Sequence, residues 1–205
     1  MSIMFLEDWE RSPGAIADYD TPNTSFKRMV SLYNKMGVKN CLWPLALYNS
    51  SLKGVDPHDP DLTEDQKLAI GMECQYNFWY FIREVVRIPP VAGPKPIPYK
   101  ANRGNLALSW VFMNNIDVAN IQPRQTGKSV STDCIMVWVL YIGASNTTIS
   151  MLTKDHTLRT KNVERLKKIR DFLPGYLLNI TNRDSDNQTD LTCKAKDNTY
   201  LTGVG

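Results

Sequence analysis

NIQPRQTGKSVSTDCIM, residues 120–136, is the stretch that decides the fold. An apolar run leads into a loop containing Gly127, Lys128 and Ser129, and an apolar-rich helical pattern starts at the lysine. A Gly-Lys-Ser/Thr tripeptide alone turns up by chance in roughly one chain in ten of this length. Its surroundings therefore matter more than the tripeptide. A strand entering the loop and a helix leaving it at the lysine make the arrangement that a phosphate loop requires. Such a loop must turn several backbone N–H groups inward at a helix N-terminus, where the helix dipole also favours negative charge. Gly127 allows that close approach. Lys128 supplies a point charge able to reach β- and γ-phosphates, and the Ser129 hydroxyl suits a magnesium ligand. Gln125 and Thr126 contribute mainly backbone. The common pattern has a glycine where Gln122 stands, so this loop is a deviant one. The competing reading is an ordinary strand-turn-helix with an exposed lysine.

On either side of the loop the spacing predicts a helix over 105–113, a buried strand over 117–122, a helix over 128–142 and a strand over 147–152. That α-β-α-β order fits an α/β domain built on a parallel sheet. A polar helix over 157–172 follows, with Val163, Leu166, Ile169 and Leu173 facing inward and Pro174 and Gly175 closing it. The last sixteen residues read as a hairpin turning at Asp197-Asn198. Upstream, Phe26, Met29, Val30 and Tyr33 place an amphipathic helix over 24–36, stopped by Gly37. A second helix starts at the capping pattern Thr63-Glu64-Asp65-Gln66 and is expected to run unbroken to Val86, before Pro89. Pro89, Pro90, Pro94, Pro96 and Pro98 then force an extended segment that cannot pair regularly. The expected organisation is a helical segment over 1–95 followed by the first part of a P-loop NTPase domain over 96–205.

Composition sets limits on this outline. With 205 residues, 42% of them hydrophobic, the chain can bury a substantial core. A net charge of +3 is too mild to nominate nucleic acid as a partner by itself. Cys41, Cys74, Cys134 and Cys193 form no C-x-x-C pair, so neither a zinc site nor a disulfide framework is expected, and a reducing cytosol is the simpler compartment. The start, MSIMFLEDWE, is acidic where a signal peptide is basic, which argues against export. The longest apolar run falls short of the roughly 20 residues needed to span a bilayer.

Pro123-Arg124-Gln125-Thr126-Gly127-Lys128-Ser129 resembles the deviant phosphate loop of the large terminase subunits of tailed bacteriophages, in which an arginine and a glutamine precede the glycine-lysine pair. The stretch Asn77 to Pro89, NFWYFIREVVRIP, is similar to an aromatic-rich helix ahead of the motor domain in that family. The resemblance covers roughly residues 70–205. It implies an ATPase that uses ATP and Mg2+ and drives double-stranded DNA into a procapsid. It also implies a homo-oligomeric ring, a portal protein and a small terminase subunit as partners, and a location in the host cell cytoplasm without a membrane. Gln122, Pro123, Arg124, Gln125, Thr126, Gly127, Lys128 and Ser129 would hold the nucleotide, with Ser129 on the magnesium. Lys128 and Arg124 would be catalytic, Arg124 stabilising charge on the γ-phosphoryl group; alternatively, Arg124 braces the loop. The family's adenine-contacting glutamine has no counterpart here. Asn105 has the amide chemistry to read an adenine edge and Arg103 could stack on the base, while a helix cap at Asn102 or Asn105 is the competing reading. Other P-loop translocases, or a nucleotide-holding scaffold that does not hydrolyse, would share the loop.

Hydrolysis in this class needs an apolar strand ending in an acid that holds magnesium. Asp117 precedes the loop strand, and Asp190 and Asp197 lie in or beside the hairpin, so none of them fills that position. The chain is therefore expected to be the front part of a longer polypeptide, with the acidic strand and a nuclease domain beyond it. The aromatic cluster Tyr76, Phe78, Trp79, Tyr80 and Phe81 is assigned to core packing rather than base stacking. The basic run from Lys154 to Arg170 is assigned to a solvated helix face rather than a DNA-binding one.

Overall fold

The computed structural model describes residues 13–90, 92–123 and 125–205. The chain divides into two compact units: residues 1–86 with 98–106, and residues 87–97 with 107–205. The boundary expected near residue 95 lies within the short stretch 87–97, which belongs to the second unit.

In the first unit, β1 (Ile16–Ala17) precedes α1 (Thr24–Lys35), and β2 (Ala46–Leu47) pairs antiparallel with β1. The spacing of α1 buries Phe26, Val30 and Tyr33, and Gly37 follows it with a left-handed φ of 75°. Helix α2 (Glu64–Tyr76) begins at a complete capping box between Thr63 and Gln66. The expected unbroken helix to Val86 does not form. The chain breaks at Asn77 and restarts as α3 (Phe78–Tyr80), which widens into a π-turn at Phe81–Val85. Asn77 explains the break. Its Nδ2 donates to the Ala46 carbonyl at 3.0 Å and to Glu73 Oε1 at 2.6 Å, while its Oδ1 accepts from the Tyr80 N–H at 3.1 Å. The buried Glu73 carboxylate also accepts from the backbone N–H groups of Tyr48 and Asn49. Fully buried Arg83 binds Glu84 through Nε at 2.6 Å and donates to the Pro44 carbonyl. Phe78, Tyr80 and Phe81 are buried and Trp79 packs on Trp43, as a core cluster should; Tyr76 differs, standing 67% exposed.

The proline-rich stretch makes only a two-stranded pair, β3 (Arg87–Ile88) with β4 (Ile97–Pro98), and leads to α4 (Arg103–Met113). Residues 117–122 are not a buried strand: they belong to no β-ladder, and Ile121 is 96% exposed. No strand of the sheet lies beside them, so the apolar side chains gain no burial and the backbone no ladder. Helix α5 (Lys128–Trp138) continues as a π-turn at Val139–Gly143, followed by β5 (Thr148–Thr153), α6 (His156–Asp171), β6 (Asp190–Cys193) and β7 (Asn198–Val204).

The sheet order is β5-β7-β6. β5 and β7 run parallel with Ile149 opposite Tyr200, and β6 is antiparallel to β7 with Leu191 opposite Tyr200. The second unit is thus mixed α/β with a small mixed sheet. The hairpin turns through Lys194–Lys196 and left-handed Asp197, slightly before the expected Asp197-Asn198, because Asn198 is already committed to the strand. Leu191, Cys193 and Tyr200 are buried, as are Cys134, Ile135 and Val137 of α5 and Val163, Leu166 and Ile169 of α6. Ser150, Leu152 and Leu201 alternate with these on the opposite sheet face and are exposed. All four cysteines are buried free thiols. Among the described residues, no helix is long and apolar enough to cross a membrane.

Asn198 ties this unit together. Its Nδ2 lies 2.9 to 3.1 Å from the carbonyls of Val139, Leu140 and Ala144, and its Oδ1 accepts from the Thr147 N–H. Carbonyls at the end of a helix lack intrahelical donors, and the buried amide satisfies them here. Asn198→Ala is expected to lower unfolding free energy by about 3 kcal/mol, since buried acceptors lose their donor. Urea denaturation measures this; a loss under roughly 0.5 kcal/mol would show that the amide is dispensable.

Candidate phosphate-binding loop

The loop lies wholly in the second unit and is shaped by two residues with left-handed backbone. Gln125 has φ 63° and Gly127 has φ 78°, while Thr126 between them is not among the positive-φ residues and Lys128 is helical. The sign of φ therefore alternates along four residues, which turns successive N–H groups towards one concavity. For Gly127 the conformation costs little; Gln125 carries a side chain there and is a strained position.

Gly127 is the N-cap of α5 and has no side chain to close the helix. By contrast, Thr63 caps α2, Asp155 caps α6 and Asn102 caps α4 by accepting from the Asn105 N–H. The first bond of α5 runs from the Ser131 N–H to the Gly127 carbonyl, so the N–H groups of Lys128, Ser129 and Val130 have no intrahelical acceptor. The side chains of Ser131 and Thr132 are turned back onto the Gly127 and Lys128 carbonyls, each at 3.0 Å. Ser129 is exposed, and its hydroxyl makes no hydrogen bond to the described residues.

Lys128 does not point into open solvent. Its half-buried side chain folds back across the loop, and Nζ donates to the Gln122 carbonyl at 2.9 Å, with the Pro123 carbonyl at 3.5 Å. The Thr126 hydroxyl donates to Gln122 Oε1 at 3.0 Å. The two ends of the loop are thereby joined over a single lysine. Its ammonium is bonded to main-chain oxygens, neutral acceptors that an anionic oxygen can outcompete.

The helix behind the loop is anchored by Asp133, which is 1% exposed and paired with Nε of Arg165 on α6; Arg165 also donates to Asn162 Oδ1 at 2.9 Å. Burial pushes the Asp133 carboxyl up to about 6, against the opposing pull of Arg165. Burial likewise raises the Tyr200 phenol to about 12, with the Asp133 charge adding to it. Arg170 is held by Asp171 and Asp186, and Lys167 by Asp186, so much of the basic run on α6 is engaged in structural pairs. Lys154, Lys161 and Lys168 are exposed, but Glu164 and Asp171 are exposed among them.

The structure brings Gln122, Pro123, Gln125, Thr126, Gly127, Lys128 and Ser129 together in one loop. Arg124 lies outside the described residues, as does the N-terminal stretch 1–10. Arg103 and Asn105 belong to the first unit, not to the unit that holds the loop. Arg103 is exposed, Asn105 is 2% exposed, and Asn102 serves as the helix cap. Two positioning residues escaped the sequence reading: Asp133, whose helical-face polarity among apolar neighbours was the available signal, and Asn198, which had none. Scans against protein-family models and against curated proteins give no match to the chain.

Because Asp133 is raised above its ordinary value of 3.8, the folded state binds its proton more tightly than the unfolded state does. Its contribution relative to Asp133→Asn is therefore most favourable below about pH 4, declines as pH rises from 4 to 6, and is flat above. The decline is on the order of 2 to 3 kcal/mol. Parallel denaturation of both proteins from pH 4 to 8, with the Asp133 carboxyl-carbon NMR shift, checks it. A midpoint near 4 and a constant stability difference would contradict it.

Proposed function

We propose that this chain is the ATP-binding front part of a P-loop ATPase, and that the motor it serves is a DNA-packaging terminase. The observation that carries the nucleotide reading is the Lys128 ammonium turned back onto the Gln122 carbonyl over a loop of alternating handedness. The lysine takes its acceptors from the loop's own carbonyls, and the proposal has phosphate oxygens replace them. The donor set suits a magnesium polyphosphate: one mobile ammonium, uncapped N–H groups at Lys128, Ser129 and Val130, and a free hydroxyl at Ser129.

In this proposal Lys128 exchanges the Gln122 carbonyl for β- and γ-phosphate oxygens, and the amides of the loop hold the phosphate chain from the other side. Bound magnesium would supply charge neutralisation on the β- and γ-phosphates, with Ser129 as its protein ligand. Asp133 and Arg165 keep α5 fixed behind the loop, so the amides are positioned in advance. Arg124 is assigned by resemblance to the γ-phosphoryl charge. β5 ends at Thr153 and β7 at Val204, and Asp155 is spent on capping α6. The acid that polarises attacking water is accordingly assigned to further polypeptide.

The terminase assignment, with double-stranded DNA, a portal protein, a small terminase subunit and a ring assembly in the host cytoplasm, rests on the loop and upstream-helix resemblance. Calorimetric titration of the 205-residue chain with ATP is expected to give weak, magnesium-dependent binding that Lys128→Ala reduces at least tenfold, with negligible phosphate release. Binding unaffected by Lys128→Ala would overturn the nucleotide reading. Robust turnover would overturn the assignment of the catalytic acid to further polypeptide.

A further inference from the structure

Helix α2 carries an apolar ridge that the described residues leave bare. Leu68 is 66% exposed, Met72 55% and Tyr76 67%. They stand at i, i+4 and i+8 along one side of a thirteen-residue helix. The other side is committed to the core through Ile70, Glu73 and Cys74. Large apolar side chains exposed singly are ordinary, but three in a helical row ending in a tyrosine form a patch of the kind that marks an interaction site.

The charge beside the ridge selects its occupant. Residues 56–65, DPHDPDLTED, contain five acids and no lysine or arginine, and Asp56, Asp59, Asp61, Glu64 and Asp65 are all exposed. Glu64 has Lys67 as an ion-pair partner at 2.8 Å; Asp61 and Asp65 have none among the described residues. These acids gather at the N-terminal end of α2. A helix laid antiparallel along the ridge brings its C-terminal turn against them, and a helix C-terminus is where lysine and arginine are most favoured. This chain does not itself offer the complement among its described helices: α6, the basic one, exposes Leu158 as its single large apolar side chain.

We propose that α2 is the docking surface for an amphipathic helix of another protein, packed antiparallel, with apolar residues at i, i+4 and i+8 and a basic C-terminal turn. The proposal goes beyond the nucleotide reading and does not depend on it. Burial of Leu68, Met72 and Tyr76 gives the contact its affinity, and the acids of residues 56–65 set its direction.

The test uses a fluorescent synthetic peptide of twenty residues, helix-forming, with leucines at i, i+4 and i+8 and four lysines in its last turn. Fluorescence anisotropy against the full chain is expected to show saturable binding. Moving the lysines to the first turn, or replacing them by glutamate, should weaken it at least tenfold, as should Tyr76→Ala or the double substitution Leu68→Glu/Met72→Glu. Circular dichroism confirms that the variants fold; Tyr76→Ala, at an exposed site, serves if the double variant does not. Equal binding of all peptides, equal binding by the variants, or no binding would each overturn the proposal. Self-association of the chain that Tyr76→Ala abolishes, without peptide binding, would assign the ridge to a second copy instead.

Discussion

A lysine whose ammonium turns back onto a carbonyl six residues earlier in the chain holds the loop between them in a tight curve. That curve needs left-handed backbone at two places, and Gln125 and Gly127 provide it. It also needs a rigid floor. Helix α5 supplies this because its buried acid, Asp133, is pinned to Arg165 of α6, and because its far end is held by the Asn198 amide. The floor is further fixed at Gly143, where any β-carbon would collide with the Trp138 ring. The loop, the helix behind it and the start of β7 therefore form one mechanical element within the second unit.

Buried asparagines recur as the device that joins remote backbone. Asn23 donates to the carbonyls of Arg83 and Tyr99, Asn77 to that of Ala46, and Asn198 to three carbonyls at the end of α5. Each is 8% exposed or less. A buried amide brings two donors and an acceptor to places where irregular backbone leaves groups unsatisfied, and removing one leaves several exposed to that cost together.

The elements legible from the sequence were those specified locally. The capping box at Thr63 starts α2 as read, the apolar rows place α1 and α6 within a residue or two, α5 starts at Lys128 as expected and finishes its expected length as a π-turn, and β5 falls one residue from its expected range. What was not legible depended on partners far along the chain. The long helix breaks at Asn77 because the Ala46 carbonyl, 31 residues away, captures its amide. Residues 117–122 have strand-like composition, but a strand exists only where another lies beside it. In the loop, the glycine turn and the helix start at Lys128 were legible because that pattern is local. The self-contact with Gln122 was not, since backbone handedness at Gln125 is invisible in a side-chain pattern.

On the proposed nucleotide reading, the amides of residues 125–130 close on phosphate once Lys128 releases the Gln122 carbonyl. The most direct measurement is a two-dimensional amide NMR titration of the chain with magnesium and ATP, compared with magnesium and adenosine. ATP is expected to shift the amides of Gln125, Thr126, Gly127, Lys128, Ser129 and Val130 most strongly, and adenosine to leave them in place. Saturating ATP that leaves these six amides unmoved, or moves them no more than adenosine does, would contradict the account.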